Sequence, residues 1–219
     1  MPDDSKAFWR ALRARHPSLR EALLADARVT ASYRGERHEF RSHADAAAQM
    51  LRLALVSDAY LGQALYRLKA RLQARGVPFL PRLAHRLAMT FAQISIGDPV
   101  VVEPGVYVIH GQVVIDGLVE IGAGTVIAPF VTIGLRAGDV RGATIERDVS
   151  IGTGAKVIGP VRIGEGATVG ANAVVVDDVP AGATVVGAPA RSPIVTNGPI
   201  TAPEWISTRP SITTWPWIT

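Results

Sequence analysis

The chain has 219 residues, of which 48% are hydrophobic, 19% charged and 6% aromatic, with a net charge of +4. That apolar content supports a sizeable core and excludes a disordered chain, and the low aromatic share leaves Val, Ile, Leu and Ala to fill that core. The lack of Cys excludes a disulfide scaffold, a Cys-ligated zinc or iron–sulfur site and a Cys nucleophile, and it fits a reducing cytoplasm.

The charge is unevenly placed. Residues 1–92 carry 16 Lys and Arg against 8 Asp and Glu, whereas residues 93–219 carry 7 against 11. The shift puts a boundary near Gln93, with a helical domain over 1–92, a second domain over 93–191 and a Pro/Trp-containing tail over 192–219. A basic first domain raises nucleic-acid binding. No such motif accompanies the charge, so it reads as a solvated helix surface and no nucleic-acid partner is expected. Residues 1–15 have no apolar h-region, and nowhere do about 18 apolar residues run together, so neither a secretory signal nor a membrane span is expected.

The first domain reads as helices. Ser18-Leu19-Arg20-Glu21 is a capping box after Pro17, in which the Ser hydroxyl accepts from one backbone N–H and Glu reaches back to another. Leu19, Leu23 and Leu24 follow at helical spacing. A second helix is expected from Ala44 to Val56, with Met50, Leu51, Leu53 and Leu55. A third runs from Asp58 to Arg75, where Leu61, Leu65, Leu68 and Leu72 form an apolar stripe and Gly76 stops the helix. A short helix from Pro81 to Phe91 follows. These stripes read as core or subunit contact.

The second domain carries an internal repeat of six. Ile115, Ile121, Ile127 and Ile133 form one run, and Ile145, Ile151, Val157, Ile163, Val169 and Val175 form another. A period of six fits neither an amphipathic helix nor hairpins, and is the hexapeptide signature of a parallel β-helix. Each hexad makes one side of a triangular turn, the aliphatic residue points inward, and Gly or small residues sit at the corners. Two interruptions stand out. Ile96, Val102 and Val108 keep one frame, and Ile115 resumes one residue out of it after a slip near His110. Leu135 to Thr144 is polar and reads as an extruded loop.

Residues 94–191 resemble the catalytic part of serine acetyltransferases, within the hexapeptide acyltransferase superfamily. The resemblance rests on VTIG (Val131–Gly134), the loop after it, IGTGAKVIGPVRIG (Ile151–Gly164), VGANAVVVDDVP (Val169–Pro180) and GAPAR (Gly187–Arg191). It implies a left-handed parallel β-helix, a homotrimer or a dimer of trimers, and acetyl transfer from acetyl-CoA to a small hydroxyl, most directly that of L-serine. His110 falls on the family's catalytic His. A neutral imidazole, with an ordinary pKa near ~6.5, can take a hydroxyl proton and return it to the leaving thiolate. Carried over by position, Gly134, Ala155, Lys156, Ala173 and Arg191 line the coenzyme groove between subunits, Lys156 and Arg191 as partners for phosphate. No metal is implied.

The chain departs from the family at several positions. Ile109 stands where the family has an Asp before the catalytic His. The stretch Asp139–Gly142 lacks the family's loop His, and Ser95 stands at the position of the acidic partner. Asp98 is then the candidate to orient His110, with Glu103 the second carboxylate, and Arg141 with Glu103 is placed on the acceptor side, Arg141 meeting a carboxylate. Three other readings remain. A hexapeptide carbonic anhydrase needs three His ligands on zinc, and His110 is alone in the β-helix. An acyltransferase for another amino acid, an amine or a sugar nucleotide shares fold and base. A non-catalytic scaffold would dock through the helical half and the tail, where Trp205, Trp215 and Trp217 gather.

Overall fold

The computed structural model describes residues 2–192, with side chains from Lys6 onward; the Trp-containing tail lies outside the described residues. Five α-helices come first: α1 (Pro2–Ala14), α2 (Leu19–Tyr33), α3 (His43–Val56), α4 (Asp58–Ala74) and α5 (Leu80–Leu87). Serines start three of them. The hydroxyls of Ser18, Ser42 and Ser57 accept from the N–H groups of Glu21 (3.3 Å), Asp45 (3.1 Å) and Tyr60 (3.3 Å). The box at Ser18 is only half made: Glu21 accepts from the Ser18 hydroxyl at 3.4 Å, not from a backbone N–H. α5 leads into a π-helical turn (Ala88–Ala92) that Gln93 ends in the left-handed region, at φ 53°.

From Ile94 the chain winds into a left-handed parallel β-helix of about five turns, with three sheets as its sides. The first side is β1 (Ile94–Ile96), β4 (Val113–Ile115), β7 (Thr132–Gly134), β10 (Lys156–Ile158) and β13 (Val174–Val175). The second is β2 (Val101–Val102), β5 (Leu118–Ile121), β8 (Arg141–Ile145) and β11 (Arg162–Ile163). The third is β3 (Tyr107–Val108), β6 (Val126–Ile127), β9 (Ser150–Ile151), β12 (Thr168–Val169) and β14 (Thr184–Val185). Hexad residues stack on their like: Ile96 on Ile115, Ile115 on Ile133, Ile133 on Val157 and Val157 on Val175. All are buried, and each such side chain contributes about 1.5–3 kcal/mol of hydrophobic stabilisation. Gly follows the aliphatic residue because the turns nearly touch. A Cβ on Gly122 or Gly152 would lie 2.7 Å from the backbone of the next turn.

Both interruptions have structural counterparts. In the first turn four residues, Ile109–Gln112, join the third side to the first, where the later turns use three: Ala128–Phe130, Gly152–Gly154 and Gly170–Asn172. The polar excursion is shorter than expected. Only residues 135–140 leave the wall, because Arg141 pairs with Leu118 and Thr144 with Glu120, across a register shift. Gly142 and Ala143 are buried there, small enough to sit against β5.

α4 closes the open end of the β-helix, and it does so with polar side chains. The first turn has no strand beneath it, so its carbonyls need donors. Gln63 Nε2 donates to Val106 O (2.9 Å), Tyr66 OH to Val100 O (2.7 Å), Lys69 Nζ to Ile96 O (2.6 Å), and Arg67 to the carbonyls of Val102 and Glu103. Arg67 also holds Asp26 at 2.9 Å with both side chains buried, and Asp26 accepts from Gly105 N–H at 2.9 Å. The Leu stripe is therefore not the face turned to the core: Leu68 is 39% exposed and Lys69 2%. In α3, Leu53 is fully buried while Leu55 is 79% exposed. Gly62 lets the helix approach, since a Cβ there would lie 2.7 Å from Ile94 Cδ1.

His16 sits beside this cap. Burial, and then the charges of Arg67, Lys69 and Arg15, push its imidazole down to about 4. An unfolded chain binds that proton near pH ~6.5, so between these values protonation favours unfolding. The contribution of His16 is expected to be full above about pH 6.5 and to fall by on the order of 2 kcal/mol by about pH 4. Urea midpoints of the parent and His16→Gln across pH 7 to 4 measure it; a constant difference between the two curves contradicts it.

Candidate active site

The four-residue corner carries His110. The extra residue makes this corner one residue longer than those above it, and His110 is exposed there. The corner is pinned on both sides: Ile109 N–H donates to Ile127 O (3.0 Å) and Gln112 N–H to Gln93 O (2.8 Å). Among the described residues, no backbone carbonyl takes the N–H of His110 or Gly111, and no side chain hydrogen-bonds the imidazole. The result is a projecting proton acceptor beside two available backbone donors.

In the turns above, the same corner is built of small residues, Gly152–Thr153–Gly154 and Gly170–Ala171–Asn172, except at Phe130. Phe130 is 55% exposed and held at φ 63°, in register with Gln112, Gly154 and Asn172 at φ 67°, 75° and 56°. A bulky residue in that conformation costs about 1–2 kcal/mol. Sequence reasoning missed it, although the hexad alignment already puts Phe130 where the next turns have Gly and Asn.

The structure gathers some of the expected residues and separates others. Lys156 lies at this corner, but its Nζ donates to Phe130 O (2.8 Å) and Gly154 O (2.9 Å), so it braces the turn. Gly134 is on the outer face of the first side, at the end of β7. Ala155 and Ala173 are fully buried with their methyls in the core, so neither lines a groove. Small residues were required there for packing. Arg191 pairs with Asp177 at 3.1 Å.

Three further assignments need correction. Asp98 does not orient His110. Twelve residues make two sides of the triangle, so the two stand at different corners, and Asp98 pairs with Lys69 at 3.0 Å. Burial pushes the Asp98 carboxyl up, but Lys69 outweighs it and holds the group below the usual carboxylate range. Glu103 stands at the corner between β2 and β3, where it accepts from Ala123 N–H at 2.9 Å. Arg141 begins β8 and is taken up by Asp139, with Nε at 3.0 and 3.1 Å and Nη2 at 2.7 Å, so its charge is already neutralised.

The helical domain supports the site. A Cβ on Gly111 would collide with the carbonyl oxygen of Ala92, the last residue of the π turn. Gly111→Ala is therefore expected to displace His110, and a shift near 1 Å costs on the order of 10²-fold in rate. Turnover measured beside circular dichroism tests this; parent turnover in a folded variant contradicts it.

Comparison with known proteins agrees with this geometry. The family model for bacterial transferase hexapeptide (six repeats) matches residues 142–177. A serine acetyltransferase of Helicobacter pylori (strain J99) is 37% identical over 131 residues, covering 58% of this chain and 76% of that protein. One of Bacillus subtilis (strain 168) is 38% identical over 137 residues, covering 61% of this chain and 62% of that one. The solved structure of soybean serine acetyltransferase complexed with serine superposes with a TM-score of 0.67 at 30% identity, over 81% of this chain and 70% of that one.

Proposed function

Because the chain belongs to the serine acetyltransferase family, we propose that it moves the acetyl group of acetyl-CoA to the hydroxyl of a small acceptor, most directly L-serine, with His110 as general base. The observation that carries this reading is the four-residue corner that presents an exposed His110 beside two N–H groups that no described carbonyl takes. The neutral imidazole takes the hydroxyl proton as the oxygen attacks the thioester carbon. The N–H groups of His110 and Gly111 are free to donate to the oxyanion that forms. Collapse breaks the C–S bond, and the imidazolium returns its proton to the thiolate. Acetyl ester and free thiol leave, and no covalent enzyme intermediate is needed.

A thiol-release assay with acetyl-CoA and a panel of hydroxyl and amino compounds tests the proposal. Release that depends on serine supports it, and no release with any acceptor refutes it. A different acceptor is the second reading, favoured by Ile109, by Ser95 and by the Arg141–Asp139 pair, which engages the cation expected to meet a carboxylate. Activity on other acceptors with none on serine would establish it.

The proposed assembly is a homotrimer, in which the coenzyme lies between neighbouring β-helices, Gly134 and Arg191 on one wall. The chain is then expected to sediment as three copies or a multiple of three. A fully active monomer at assay concentration contradicts the shared groove. The proposed setting is the cytoplasm, at the step that activates serine for cysteine synthesis.

A further inference from the structure

A second candidate site lies in the helical domain, away from His110. On α1, Lys6, Arg10 and Arg13 fall at i, i+4 and i+7 and share one face; on α4, Arg71 and Arg75 stand at i and i+4. The two faces meet in a groove of about 820 Å³, with Trp9 half-buried in its wall. Elsewhere in this domain Arg15, Arg34, Arg37, Arg52 and Arg67 each hold a carboxylate. Among the described residues, none of the five groove cations does, and no acidic side chain lines the groove. Like charges at i and i+4 repel on each helix, and packing the two faces together adds to that. An anion relieves the repulsion. The volume lies within the ~300–1,000 Å³ of small-ligand sites, and guanidinium groups suit phosphate oxygens. The indole offers an aromatic plane for a base.

We infer that this groove binds a nucleoside triphosphate, with the phosphates on Lys6, Arg10, Arg13, Arg71 and Arg75 and the base against Trp9. The inference is independent of the chemistry at His110.

Calorimetry on the full chain without magnesium tests it, with ATP, inorganic tripolyphosphate and a single-stranded oligothymidine as probes. ATP and tripolyphosphate are both expected to bind, more weakly as salt rises, with ATP the tighter. Arg10→Gln/Arg71→Gln is expected to weaken both at least about tenfold, which is the low end for charged hydrogen bonds. Trp9→Ala is expected to bring ATP down to the level of tripolyphosphate. Absence of binding, or binding that the double variant leaves unchanged while its circular dichroism matches the parent, overturns the inference. Oligothymidine binding more tightly than ATP through the same residues overturns it in favour of nucleic acid.

Discussion

Replacing His110 by Ala is expected to lower turnover by about 10²–10⁴-fold, the range a positioned acid–base group supplies, and to leave acetyl-CoA binding nearly intact. The split follows from the geometry. His110 projects from one four-residue corner, whereas the proposed coenzyme groove carries Gly134 and Arg191 on other parts of the β-helix, which the substitution does not touch. Steady-state kinetics gives the turnover and calorimetry gives the coenzyme affinity. Because His110 is exposed and no described side chain holds it, the variant should unfold where the parent does. Parent turnover in the variant would remove His110 from the mechanism, and a parallel loss of affinity would make it a binding residue instead.

The largest expected effect on stability is at the other end of the same turn. Asp26→Ala leaves the Arg67 guanidinium buried without its carboxylate and Gly105 N–H without its acceptor. Breaking one partner of a buried pair costs about 3–5 kcal/mol, a large share of the ~5–15 kcal/mol that holds a domain together. Burial pushes the Asp26 carboxyl up, and Arg67 and Gly105 N–H oppose it. Replacing the pair together, Asp26→Leu with Arg67→Met, is expected to cost less than the single change. Chemical denaturation of the three chains decides. A single variant within about 1 kcal/mol of the parent would mean that the cap does not depend on this pair.

The β-helix was legible because its physics repeats: one inward aliphatic residue per side, every six positions, with Gly where successive turns nearly touch. The slip before Ile115 was legible for the same reason, since a strict period exposes a single extra residue. The buried face of α4 was not. Apolar periodicity pointed to Leu61, Leu65, Leu68 and Leu72, but the helix packs on a ring of carbonyls, and carbonyls call for donors. Gln63, Tyr66, Arg67 and Lys69 answer that need, at positions that read as a solvated surface. The carboxylate assigned to His110 failed for a reason the repeat already contained. Neighbours between the first and second turns lie 19 residues apart, so Asp98, twelve away from His110, belongs to a different corner. Arg141 failed because its partner is two residues away, a local pairing that periodicity does not reveal.

The cap on the first turn also decides what this protein does not become. A stack of parallel strands ends in a ladder of unpaired groups, and such a ladder is a template on which another chain can add the next rung. Here that template is filled before a second chain can reach it. Five carbonyls of the first turn are bonded to side chains of one helix that is tethered in the same polypeptide and begins 36 residues before β1. Lysine and arginine make the seal expensive to copy, because a neighbour that displaced α4 would strand their buried charge. Growth of fibrils end to end is thus blocked at this terminus by the same polar residues that a hydrophobicity plot would assign to water.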